Sequence, residues 1–374
     1  MRLTNLNAYY STEYGKGLKS RRARDIARIR IIAVPEMGDN GDYSPCAYIR
    51  LLQPLDYLRE LELIDFKIAT AEEALKIGGD IFYCHRTSSC NEGSAVALAR
   101  HARECGAKLF YDLDDNLLKI DEAHPESKQL SGIRVVVEKF LQEADAVFYS
   151  TRELKRQLAN SSKRQFVMDN ALDQRLIADF PTLDTEELAG TNQSVGIIYM
   201  GTYTHSHDFD LVSKVLNQVL EDFGDRVKVG ILGVTPRSKL PSGIRRIYPP
   251  DVVGSSYPAF MSWLTARREW QIGISPLQDT QFNDAKSPIK ALDYISMGAV
   301  PIVSDVEAYR SLPATAVERV ANRPENWYKS VASLVSSESK RQHMAERGRD
   351  YFLSRATLEA TVDERIETLA QAME

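Results

Sequence analysis

WQIGISPLQDTQFNDAKSPIKALDYISMGAVPIVSD, residues 270–305, is the stretch whose reading decides the fold. Trp270–Ser275 is an apolar run of strand length that ends at Pro276, and Val300–Ser304 is a second one. Between them Ser287 is suited to cap a helix, and Pro288 to stand at its first position, where the missing N–H costs nothing. Gly298 suits the residue just past the end, so the spacing predicts a short, sharply bounded helix over Ser287–Met297. Strand, helix and strand at this spacing form a crossover onto a parallel neighbour. The start of such a helix presents free N–H groups and the positive end of its dipole, which suits an anion. Lys286 stands just before it, and Lys290 and Asp293 follow at +4 and +3, on the same face. A nucleotide diphosphate fits that pattern, with phosphates on the N–H groups and Lys286 and ribose hydroxyls on the carboxylate. A plain amphipathic helix with a solvated Lys–Asp pair of little energetic weight fits it too.

The same alternation extends in both directions. Upstream, strand-like runs at Arg28–Met37, Asp80–Cys84, Lys108–Tyr111, Ala146–Tyr149 and Gln165–Met168 are separated by helical patterns over Ala47–Leu63, Ala95–Cys105, Ile133–Glu143 and Arg152–Leu158. Asn91 caps the second of these helices and Gly106 stops it. Asp179–Gln193 is polar and reads as a linker. A second series follows: strands at Val195–Met200, Val227–Leu232 and Ile244–Tyr248, a helix running to Phe223 with Asp208 as its cap, and a helix over Phe260–Arg268. Glu325–Ala372 is helical almost throughout. The expectation is α/β: two doubly wound Rossmann-like domains, with ligand sites beyond the carboxyl ends of the strands. The expected division is a basic arm over 1–27, a first domain over 28–178, a linker over 179–194, a second domain over 195–345 and C-terminal crossover helices over 346–374.

Composition narrows the function classes. The chain has 374 residues, 43% hydrophobic and 26% charged, which is globular. A net charge of −5 argues against a nucleic-acid binder, whose phosphate contacts need excess cations. Residues 1–30 nevertheless hold eight basic side chains against two acidic ones, a candidate contact for an anionic membrane surface. No apolar window is long enough to cross a bilayer, and no secretory leader is read at the start. The four cysteines are too few and too widely spaced for a disulfide scaffold or a zinc knuckle, so they read as reduced thiols of a cytoplasmic protein.

The 270–304 segment resembles the donor-site motif of GT-B fold glycosyltransferases, in the family-4-like bacterial group that uses nucleotide-diphosphate sugars. The matching positions are Trp270, Ile272, Ile274, Pro276, Leu277, Phe282, Asn283, Lys286, Ser287, Lys290, Asp293, Tyr294, Gly298, Pro301 and Ser304. Tyr111–Leu117, Ala144–Leu154, Asn170–Asp173 and Gly201–Asp208 resemble further landmarks of that group. The resemblance implies two Rossmann-like domains facing a central cleft, acceptor domain first. It implies a hexosyltransferase that moves a hexose or deoxyhexose onto a glycan, free or lipid-linked, in O-antigen or exopolysaccharide biosynthesis, with retention. It also implies that no metal or other cofactor is needed. Donor contacts fall to Lys286, Ser287, Lys290, Asp293, Asn283, His205 and Gly201. Two features depart from the family: Ala285 stands where the first of two Glu is usual, and His205 and His207 replace an Arg and Lys pair.

In the first domain, Asp114, Asp115 and His85 are the catalytic candidates, and Arg50, Arg86 and Asp112 the acceptor-binding ones. All but Arg50 lie at carboxyl ends of expected strands. Asp112-Leu113-Asp114 also looks like the metal-chelating Asp-x-Asp of single-domain glycosyltransferases, which the two-domain architecture contradicts. Two other classes share that architecture: a non-catalytic scaffold or partner subunit, which the missing Glu would suit, and a sugar-nucleotide epimerase.

Overall fold

The computed structural model describes residues 29–38, 41–88, 91–120, 132–159, 164–177, 194–233, 240, 243–254 and 256–374. The basic segment 1–30, apart from Ile29 and Arg30, and the linker 179–194, apart from Ser194, lie outside them. Two compact units emerge. One holds the described residues through Leu118 with Gly132–Asp169 and Thr361–Glu374; the other holds Asn170–Ala360 with Lys119 and Ile120. The chain thus changes unit at Asp169–Asn170, ahead of the polar stretch read as a linker, and returns at Ala360–Thr361.

The first unit is a parallel sheet of β1 (Arg30–Val34), β2 (Asp65–Ile68), β3 (Ile81–His85), β4 (Lys108–Leu113), β5 (Ala146–Tyr149) and β6 (Gln165–Val167), in the order β2-β1-β3-β4-β5-β6. The inner strands are buried along nearly their whole length, which is why they read as continuous apolar runs. β2 escapes that reading because, as an edge strand, it is largely exposed and carries Asp65 and Lys67. Its helices are α1 (Gln53–Glu60), α2 (Glu92–Glu104), α3 (Arg134–Glu143) and α4 (Arg152–Leu158). Asn91 caps α2 by accepting from Ser94 N–H at 2.9 Å, and Gly106 follows its end at φ +68°. α1 is entered through a π-helical turn, Tyr48–Leu52, which carries Arg50 into the interior.

The second unit is a parallel sheet of β7 (Val195–Gly201), β8 (Val227–Gly233), β9 (Ile244–Ile247), β10 (Ile272–Ser275), β11 (Val300–Ser304) and β12 (Glu318–Val320), in the order β12-β11-β10-β7-β8-β9. Helices α5 (Ser206–Phe223) and α8 (Pro324–Ser336) pack on one face through Val212, Leu216, Trp327 and Val331. Helices α6 (Tyr257–Thr265), α7 (Ile289–Ser296) and α9 (Glu338–Arg355) pack on the other through Met261, Leu264, Leu292, Ile295 and Phe352. α10 (Leu358–Met373) ends the chain.

Two expected caps are overturned. α7 begins at Ile289 behind Pro288, because the Ser287 hydroxyl is bonded to Asn170 instead of to the helix. α5 begins at Ser206 behind His205, and Asp208 lies within its first turn, cross-linking two loops. The end of α7 is as expected: Gly298 at φ +81° lets Gly298 N–H reach Ile295 O at 2.9 Å and Ala299 N–H reach Tyr294 O at 3.0 Å.

Gly273 fixes how closely α7 approaches the sheet. A Cβ there would stand 2.1 Å from the Tyr294 ring. That ring cannot withdraw, because its hydroxyl donates to Ile274 O and accepts from Met200 N–H, both at 2.9 Å. Gly273→Ala is expected to destabilise the protein by about 1–3 kcal/mol in urea unfolding. Gly78→Ala, where the nearest atom is 4.0 Å away, serves as the neutral control; equal midpoints for the two would refute the constraint.

Candidate functional site

In the second sheet the strand order reverses between β7 and β10, and ligands of such sheets bind outside the carboxyl ends at that point. Two loops meet there. The loop after β7 holds Gly201 and His205; the loop after β10 holds a short helix, Gln281–Asp284, then Lys286 and Ser287. A Cβ on Gly201 would meet Tyr199 Oη at 2.9 Å and His205 Cβ at 3.3 Å, so glycine lets the first loop fold back on its strand. Asp208 ties the loops together: Oδ1 accepts from Gln278 N–H and Oδ2 from His205 Nδ1, both at 2.8 Å.

The electrostatics suit an anion. Burial and the Lys290 ammonium push the His205 imidazole down to about 4, with Lys286 adding and Asp208 opposing. The ring is therefore neutral at pH 7. With its Nδ1 proton given to Asp208 it presents a lone pair at Nε2, so it donates to a phosphate only after taking up a proton. The cationic side chains acting on it are Lys290 and Lys286. Lys286 Nζ also lies 4.6 Å from the centre of the Phe282 ring.

Asp293 is half-buried on α7, and its enclosed Oδ1 has no hydrogen-bond partner. Burial pushes its carboxyl up to about 7, against the pull of Lys290. An unpartnered acceptor beside Lys290 is what a ribose hydroxyl can bond to. Asn283 is placed differently from the expected donor contact: it is buried, and its Nδ2 donates to Gln278 O at 2.9 Å, closing the loop. Ala285 is fully buried. Ser287 Oγ accepts from Asn170 Nδ2 at 2.8 Å, so Asn170, the first residue after the chain changes unit, positions the lysine loop.

The first sheet reverses between β1 and β3. Glu36 follows β1, His85 ends β3, and Arg86 follows it in the left-handed region at φ +45°. That conformation is rare for a side chain with a Cβ and is held from both sides. Arg86 N–H donates to Asp112 O at 2.9 Å, and Tyr111 Oη donates to Arg86 O at 3.0 Å. The guanidinium faces Glu36 at 3.4 Å, Asp114 at 3.4 Å and Asp115 at 3.8 Å. Burial alone would raise Glu36 and Asp114; Arg86 together with His85 and side-chain hydrogen bonds outweighs it, and both carboxyls lie below their usual range. His85 is fully buried, and burial lowers its imidazole in spite of the acids around it.

Arg50 and Asp112, both expected on the acceptor side, are 2% and 0% exposed and bound to each other. Arg50 Nε and Nη2 donate to Asp112 Oδ1 at 2.8 Å and Oδ2 at 2.9 Å, and Nη1 donates to Met168 O. Tyr83 Oη donates to Asp112 Oδ2 at 3.3 Å. This pair is a frame beneath the site, closed to an acceptor. Asp112-Leu113-Asp114 does not form a chelate either, since one carboxylate faces Arg50 and the other Arg86. Glu36 went unnoticed in the sequence, although Pro35-Glu36 directly after an apolar strand marks a strand-end carboxylate.

No protein-family model matches the chain, and no curated protein is similar to it in sequence. Solved structures are similar in fold. HepE of Anabaena, solved with UDP and glucose, superposes with a TM-score of 0.61 at 11% identity, over 91% of this chain and 99% of HepE. Sucrose-phosphate synthase of Thermosynechococcus elongatus gives 0.58 at 12%, over 88% and 81%. TarM gives 0.57 at 10% over 80% of this chain, which spans 57% of TarM. The fold is the GT-B fold.

The raised Asp293 carboxyl sets a pH dependence. Its pKa in the folded protein lies above the unfolded value of about 4, so its contribution is fully present below pH 4 and lost as pH rises through about 7. Asp293→Asn is expected to melt with the parent protein near pH 4 and above it at pH 8. Equal melting temperatures at pH 8 would contradict an enclosed, unpaired carboxylate.

Proposed function

We propose that this chain is a nucleotide-diphosphate-sugar glycosyltransferase. It moves a hexose or deoxyhexose to a hydroxyl of a glycan acceptor, free or lipid-linked, in the synthesis of surface polysaccharide. The observation that carries the reading is the group at the reversal point of the second sheet: Lys286 and Lys290 beside His205, and next to Lys290 a carboxylate, Asp293, with an unpartnered oxygen. Cations stabilise the charge that develops on a departing diphosphate, which is the main electrostatic demand of glycosyl transfer. The GT-B fold, and the UDP and UDP-glucose bound by HepE, support the same donor class.

In this reading Lys286 and Lys290 hold the diphosphate, Asp293 the ribose, and Ser287 and Asn283 keep their loop in shape. Asp114, Asp115 and His85 remain the candidates beside the reacting hydroxyl. Asp114 and Asp115 both face Arg86, and a carboxylate held below its usual range is a weak base. That supports transfer with retention, which needs no strong base. Among the described residues no helix is long and apolar enough to cross a membrane. A lipid-linked acceptor would put this cytoplasmic enzyme at an anionic surface, where the basic residues 1–30 would help hold it.

The test is a melting-temperature panel with UDP, GDP, dTDP and ADP. One of them is expected to raise the melting point, and Lys286→Ala and Asp293→Ala each to abolish the shift. Shifts unchanged in both variants would remove the site assignment, and no shift with any nucleotide would favour a non-catalytic scaffold.

A further inference from the structure

His205 stands beside the two lysines, and its ring is held at one end only. Nδ1 bonds Asp208 Oδ2 at 2.8 Å, and Asp208 Oδ1 is fixed in turn by Gln278 N–H at 2.8 Å. The backbone is held as well: His205 N–H donates to Thr202 O at 3.1 Å, and Tyr199 Oη donates to His205 O at 3.3 Å. Nε2 has no hydrogen-bond partner among the described residues, and the side chain keeps 14% of its surface open. An ionised carboxylate only accepts, so Asp208 takes the Nδ1–H and the neutral ring turns a lone pair outward at Nε2. A phosphate oxygen is also an acceptor, and the two repel. A proton at Nε2 converts that clash into a charge-assisted hydrogen bond.

The groups around the ring decide when that proton is present. Asp208 faces it from α5, Lys290 from α7 and Lys286 from the loop after β10. Tyr199, on β7, is a phenol that burial keeps protonated. With the site empty, the lysines oppose a further positive charge. A diphosphate, carrying a negative charge on each phosphate, removes that opposition. Lysine or arginine alone would show no such linkage, because each is already charged at neutral pH.

We infer that His205 is a third contact for the diphosphate of the donor, made through Nε2 and only with the uptake of a proton from solvent. The Nδ1–H stays on Asp208, and no covalent bond forms or breaks. This rests on the glycosyltransferase reading and adds to it a ligand contact and a pH dependence. Asp208 sets the linkage. With Asp208→Asn, the amide oxygen still accepts from Gln278 N–H while the amide nitrogen donates to Nδ1, so the ring carries its proton at Nε2 without uptake.

Calorimetric titration of the full chain between pH 5 and pH 8, in buffers of different ionisation enthalpy, counts the protons taken up. The probes are UDP-glucose, GDP-glucose, dTDP-glucose and ADP-glucose, whose diphosphates do not titrate in that range. The ligand that binds is expected to bring in up to about one proton, and its affinity to fall with rising pH by up to about ten-fold per unit. Asp293 also titrates there, so variants assign the proton. His205→Gln and Asp208→Asn are each expected to bind with that uptake lost. On ligand saturation at pH 6, the His205 Cε1–H NMR signal, identified by its loss in His205→Gln, is expected to move to the imidazolium position. That readout needs no binding by the variants. A signal that stays at the neutral position, no uptake by the parent protein, or uptake unchanged in both variants would overturn the inference while binding itself upholds the parent reading. No binding of any probe, together with no nucleotide shift in melting temperature, removes both.

Discussion

The Tyr294 hydroxyl is the contact on which the second unit depends. It donates to Ile274 O on β10 and accepts from Met200 N–H on β7, and it is wholly buried. Those strands flank the reversal point of the sheet, so one phenol pins α7 to the place where the topology opens a ligand crevice. Met200 lies just past the last β10–β7 pair, Ile274↔Tyr199, and losing a buried hydrogen-bond partner of this kind costs about 1–3 kcal/mol. Gly273 is the counterpart of that contact, since only a residue without a Cβ leaves room for the ring. Lys290 and Asp293 ride on the same helix and inherit its position.

The two sheet ends carry opposite chemistry. In the second unit two lysines act on a histidine that burial keeps neutral, and Asp293, with an unpartnered oxygen, has a raised pKa. In the first, three carboxylates share one guanidinium, and two of them are held firmly ionised. A phosphate suits the former and is repelled by the latter; hydroxyls suit both. In the first unit the two carboxylates of Asp112-Leu113-Asp114 face different arginines, Arg50 and Arg86.

Strands, helix limits and the lysine loop were legible in the sequence because each is written in local pattern: apolar runs, Asn91 and Gly106 around one helix, Gly298 after another. Edge strands β2 and β12 were not, since three or four residues, half or more of them charged, carry no apolar signal. The roles of Ser287 and Asp208 were misread for a different reason. Both are good caps by local rules, and in both a distant partner claims the side chain: Asn170 for one, Gln278 for the other. Arg50 and Asp112 are separated by 62 positions, and nothing in either neighbourhood announces that they neutralise each other.

That buried pair also explains how the end of the chain serves its beginning. Arg365, midway along α10, is almost fully buried beside Arg50, so two guanidiniums crowd one carboxylate. Burial and Arg50 pull Arg365 down to about 10, which still leaves it charged at neutral pH. Its charge is met by carbonyl dipoles: Nη2 donates to Asp169 O at 2.7 Å, as Arg50 Nη1 does to Met168 O. The two arginines therefore grip the two residues just before the chain leaves the first unit. Asn170 is next, and its side chain holds the lysine loop through Ser287. A segment with no regular structure is thereby fixed at three successive residues, two by buried cations and one by an amide. The price of two buried charges is better explained by the fixing of that backbone than by the strength of any single ion pair.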